Sequence, residues 1–129
     1  MNKKNIIKEA LSIAFQKDIA MITVSNYFSN DYKQYVDDKF INYTDFIEHI
    51  KKVRELIENM SIEFLQLIEE NNVVFSRHKV TSTMKDGTST VFLVFAEFHI
   101  NADNKISECI ETTRLLSGNK EHQNLGSDK

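Results

Sequence analysis

Hydrophobic positions recur at two different periods along the chain, helical in its first half and strand-like in its second. Ile6, Ala10, Ile13 and Ala14 fall three and four residues apart with lysines opposite, which predicts an amphipathic helix ending near Asp18. A short helical turn fits Ile19 to Phe28, and a short strand fits Asp31 to Val36 as the link between halves. Phe46, Ile50, Val53 and Ile57 form a second helical stripe. Asp45 precedes it as an N-cap, with Glu48 three residues on completing a capping-box pattern. From Ser61 the pattern turns strand-like. Ser61–Glu70 and Val73–Met84 flank Asn71-Asn72, residues that tolerate the positive φ of a tight hairpin. Lys85-Asp86-Gly87 is a stronger turn signal, and Thr88–Ile100 is rich in Val, Phe and Thr. Asn101–Asn104 turns again, into a strand from Lys105 to about Leu116. Four consecutive antiparallel strands behind a helical half make an α+β domain.

The domain is expected to run over 1–117. From Gly118 the chain turns polar, with Leu125 its one strongly apolar residue, and 118–129 reads as a frayed tail. The length of 129 residues suits one domain, and 41% hydrophobic residues are enough for a core. A net charge of −3 argues against a nucleic-acid binder, which presents a basic face. No run approaches the roughly 20 apolar residues of a membrane span. Near the N-terminus, Lys8, Glu9 and Gln16 interrupt the apolar run a signal peptide would need. The single Cys109 fits a reducing compartment, so the protein reads as soluble and cytoplasmic.

The order of elements, together with the four stretches Asp103–Glu111, Tyr32–Tyr35, Val74–His78 and Thr113–Gly118, resembles the SnoaL-like branch of the nuclear transport factor 2-like superfamily. Asp103-Asn104-Lys105-Ile106-Ser107-Glu108-Cys109-Ile110-Glu111 is similar to that family's Gly-Lys-Ile loop and last strand. Tyr32-Lys33-Gln34-Tyr35 resembles its Tyr-x-Gln-His, and Val74-Phe75-Ser76-Arg77-His78 resembles its Val-x-x-Arg-Trp. The closing Thr113-Arg114-Leu115-Leu116-Ser117-Gly118 is similar to that of bacterial members. The resemblance implies a cone-shaped α+β barrel, with N-terminal helices packed in the concave side of a strongly curved antiparallel sheet. It also implies a homodimer through the sheet's outer surface. The family's activities include cyclisation, isomerisation, dehydration and epoxide hydrolysis, beside non-catalytic assembly, so fold does not give function. The sequence departs from the pattern where Ile110 replaces a Trp, Glu111 an Asp, and Arg114 the acid/base Asp of the cyclases.

Acid–base work in an apolar pocket needs a carboxyl or imidazole shifted by desolvation, and a donor where charge develops. Resemblance to the epoxide-hydrolase branch places Glu111 at a pocket carboxylate and His78 at a pocket arginine. These two are the candidate catalytic pair: a carboxylate beside an imidazole can hold the ring charged or share a proton with it. The bland alternative is a structural His–Glu pair. Strand parity puts Glu111 and Arg114 on opposite faces, and Glu111 is expected inside. Tyr32 and Gln34 share a face and offer hydrogen bonds to a bound oxygen, while Phe95 is a candidate pocket wall. Phe92, Phe95 and Phe98 differ in parity, so they cannot all line one cavity. The four histidines show no ligand spacing, the lone cysteine has no partner, and no Gly-rich phosphate loop occurs. No metal and no cofactor is expected. The sequence thus points to a small apolar, oxygen-bearing ligand handled by proton transfer, or to a non-catalytic dimeric assembly module with a filled pocket.

Overall fold

A computed structural model describes residues 2–118; the tail expected over 118–129 lies outside the described residues except for Gly118. Three helices, α1 (Lys3–Ala14), α2 (Met21–Ser25) and α3 (Tyr43–Leu56), accompany six strands. The strands are β1 (Phe28–Val36), β2 (Lys39–Asn42), β3 (Ile57–Glu70), β4 (Val73–Met84), β5 (Ser89–Ile100) and β6 (Ile106–Ser117). They form one curved, unclosed sheet in the order β2-β1-β6-β5-β4-β3, with the helices packed against it.

The β3–β6 meander follows the expected turns. Asn71, Gly87 and Asn104 take φ of 55°, 91° and 60°, the left-handed values that Asn and Gly reach at least cost. β3 begins at Ile57, directly after α3, four residues earlier than expected. A bulge falls at Leu65, because Phe64 pairs with His78 while Gln66 pairs with Arg77. The extra residue shifts the parity, so Met60, Ile62 and Phe64 but then Leu67 and Glu69 turn inward.

The N-terminal half departs further from the reading. α1 stops at Ala14, short of Asp18, because Arg54 of α3 caps its end. Arg54 Nε donates to Ala14 O at 2.9 Å, Nη1 to Ile19 O at 2.7 Å and Nη2 to Ile13 O at 3.2 Å. Carbonyls left open by a helix end thereby gain a charged donor from 40 residues away. α3 is capped by Asn42, whose side chain accepts from Asp45 N at 2.9 Å; Asp45 lies inside the first turn. β1 starts at Phe28, and the hairpin to β2 turns at Asp37, with φ 55°. β1 runs parallel to β6, whereas the other sheet pairings are antiparallel.

The core lies between the helices and the concave face. Ile6, Ile7 and Ala10 of α1 and Phe46, Ile50 and Val53 of α3 meet Phe28, Val74, Val94, Phe98 and Ile106 of the sheet. Phe28, Tyr32 and Phe46 pack edge-on and tilted against one another with ring centroids 4.6–4.9 Å apart, fixing α3 onto β1.

Candidate functional site

The helices do not fill the concave side. A cavity of about 110 Å³ remains between α1, α3 and the sheet. Its wall is chiefly apolar, including Leu11, Phe15, Val53, Ile62, Phe92 and Val94; its polar members are Gln34, His49, His78, Ser82, Glu111 and Thr113. That volume is on the scale of the ~150 Å³ cavity that admits benzene. Leu11, Phe15, Met60 and Ile62 also border a depression between α1 and β3.

Strand parity delivers these side chains. Cys109, Glu111, Thr113 and Leu115 turn inward from β6, while Ile110, Thr112, Arg114 and Leu116 face out. Glu111 is therefore at the cavity and Arg114 on the convex face. Burial, and then the nearby Asp37 carboxylate, push the Glu111 carboxyl up to about 7, so both its forms are populated near neutral pH. Asp37 itself is bolted to this strand. Its carboxylate accepts from Thr113 N at 3.0 Å and Thr113 Oγ1 at 2.8 Å, and its N–H donates to Glu111 O at 2.9 Å.

His78 turns inward from β4, opposite Val94 and Phe64, and is 4% exposed. Burial lowers its pKa to about 4, so the ring is neutral at pH 7. Ser76 Oγ lies 2.7 Å from Nδ1, which leaves Nε2 as the uncommitted ring nitrogen. No hydrogen bond joins His78 to Glu111 among the described residues. Glu111 stands opposite Ala96 and Ala96 opposite Ser76, so the two belong to different rows of the sheet. In place of a directly bonded His–Glu pair, the structure has two separate groups facing one cavity.

Tyr32 and Gln34 act as a unit at the floor. The Tyr32 hydroxyl donates to Gln34 Oε1 at 2.6 Å, leaving the Gln34 amide hydrogens for the cavity. Tyr32 stands behind Gln34, 2% exposed, its hydroxyl held protonated by burial. Cys109 is enclosed beside them, its Sγ 4.0 Å from Glu111 Oε1, and burial raises its pKa well above the ordinary thiol value. A protonated, enclosed thiol is no nucleophile. Phe95 corrects the reading: it lies on the convex face, 50% exposed, whereas Phe92, three residues earlier, lines the cavity. An odd spacing along a strand reverses the face.

Four further residues escaped the sequence. His49 falls on the stripe of Phe46, Ile50 and Val53, and Ser76 and Ser82 share the parity of His78, so period alone could have placed all three. Asp37 gave no such signal, since its role comes from pairing β1 with β6, 76 residues apart.

No family model matches the sequence. An uncharacterized protein of Schizosaccharomyces pombe is 29% identical over 105 residues, 81% of this chain and 80% of its own length. Among solved structures, AclR from Streptomyces galilaeus superposes with a TM-score of 0.75 at 16% identity, over 98% of this chain and 86% of its own. A Mycobacterium tuberculosis LEH-like epoxide hydrolase gives 0.74 at 11% identity, over 87% and 82%. An NTF2-like protein from Exiguobacterium sp. 255-15 gives 0.73 at 13% identity, over 88% and 98%. With its helices packed against a six-stranded curved, unclosed sheet, the chain has the nuclear transport factor 2-like cone fold.

Proposed function

We propose that the protein binds a small apolar, oxygen-bearing molecule in this cavity and exchanges a proton with it through Glu111. The observation that carries this reading is a carboxyl with a pKa of about 7 inside an apolar cavity, set beside an amide donor. A carboxylate poised near neutrality is a competent general base, and its conjugate acid a competent general acid. Gln34, held by Tyr32, is the donor to an oxygen on which negative charge develops. His78, being neutral, serves as hydrogen-bond partner through Nε2 and not as a cation. This chemistry suits an isomerase, cyclase or hydratase, and the likeness to an epoxide hydrolase is compatible with it. The cavity's size favours a single ring or a short chain over fused rings.

The convex face supports a homodimer and, with it, a second reading as a non-catalytic assembly module. Phe40, Tyr35, Ile110, Glu97, Phe75 and Ile68 stand opposite one another in a single row across all six strands. The five apolar members are 37–52% exposed, an unusual exposure for a contiguous row. Arg77 and Glu97 border the same depression on this face.

The test is a thermal-shift screen against single-ring ketones, terpenoid epoxides, short acyl compounds, aromatic polyketides and steroids. A ligand at 100 times its dissociation constant adds about 2.7 kcal/mol of stability. A small-ring hit whose shift shrinks in Glu111→Gln supports the site. No shift across the panel counts for the assembly module.

A further inference from the structure

The cavity has a second polar pole, which the Glu111 end does not reach. Ser82 lies on β4 four residues beyond His78, with the same inward parity, and is 0% exposed. It lines the cavity, yet its Oγ has no hydrogen-bond partner among the described residues. Native proteins seldom leave a buried hydroxyl so, because it loses its water and gains nothing in return. Met60, its partner on β3, and Val80 offer no polar side-chain atom; its partner on β5 is the buried Thr90, to which its Oγ makes no hydrogen bond. The row of Glu111 crosses β4 at Ser76, six residues away, or about 20 Å of strand. Curvature of the sheet nevertheless turns both rows onto one cavity.

We propose that Ser82 is a second anchoring hydroxyl, so that the ligand is an apolar body carrying two separated oxygen functions. One oxygen meets Glu111 and Gln34; the other, a hydroxyl or carbonyl, meets Ser82 Oγ. A ligand with one oxygen leaves the Ser82 hydroxyl unpartnered in the complex, whereas a second oxygen supplies the missing partner. This inference rests on the reading of the cavity as a ligand pocket.

The probes are 1-alkanols of four to ten carbons and the matching α,ω-alkanediols, titrated calorimetrically and by NMR shifts of cavity-lining methyl groups. In a pocket with no second partner, the added hydroxyl weakens binding at least about tenfold at every length. With Ser82 as partner, one diol length matches or exceeds its alkanol, and in Ser82→Ala that diol-to-alkanol affinity ratio falls about tenfold. Ser82→Cys, which keeps the size with a poor donor, shows the same fall. Ser82→Ala also melts no lower than the parent, since it removes an unsatisfied group. Diols trailing alkanols at all lengths overturn the inference while leaving the cavity reading intact. A Ser82→Ala protein that melts markedly lower also overturns it, because the hydroxyl then has a structural partner. Absence of any cavity shift with either series removes the inference together with the reading beneath it.

Discussion

Glu111 and His78 face the same cavity but carry opposite pH linkages. The Glu111 carboxyl, raised by burial from 4.5 to about 7, contributes in full below 4.5 and loses that contribution as pH rises through 7. The size of the loss is about 3 kcal/mol. His78, lowered from 6.5 to about 4, favours the fold above 6.5 and loses that contribution as pH falls through 4. Between these limits the two slopes oppose each other and flatten the wild-type profile. Glu111→Gln deletes one slope, so its stability relative to wild type should rise by about 3 kcal/mol from pH 4.5 to 8. Urea denaturation across that range checks it; a pH-independent difference would mean an ordinary, solvated carboxyl. The sequence offered Glu111 and His78 as candidates, but desolvation is a property of the assembled cavity and appears only in three dimensions.

Arg54 shows how one element governs another. Its guanidinium closes the end of α1, whose last turn and C-cap supply Leu11, Ala14 and Phe15 to the cavity wall. Arg54→Ala should cost about 2 kcal/mol, the scale of a lost charge-assisted hydrogen bond and partly unsatisfied carbonyls. Arg54→Lys should recover only part, because one ammonium cannot reproduce the planar fork that spans three carbonyls. Chemical denaturation of the three proteins orders them; equal stability of the alanine variant would make the cap incidental. Meander strands were legible to within a few residues because Asn or Gly turns separate each from the next. Helix ends were not, since Asn42 and Arg54 act through contacts that periodicity does not encode.

For the whole molecule, the convex row is the surface on which the proposed homodimer rests. Phe75→Lys puts a charge at the middle of this face and should convert a two-chain species to a single chain in light scattering, with the fold retained by circular dichroism. A wild-type protein that runs as one chain at tens of micromolar would sink the dimer. The row was not visible along the chain, because its six members come from six strands and meet only through register.

The sequence by itself determined the α+β class, the β3–β6 meander and the placing of Glu111 and Arg114 on opposite faces, because period-2 alternation and turn residues act locally. Only the tertiary structure decided that Phe95 faces outward, that Tyr32 stands behind Gln34, and that Glu111 and His78 remain apart. Those outcomes depend on the parallel β1–β6 pairing, on the bulge at Leu65 and on how deeply the helices sit in the cup. Each is a long-range packing result, in which residues distant in sequence compete for the same space.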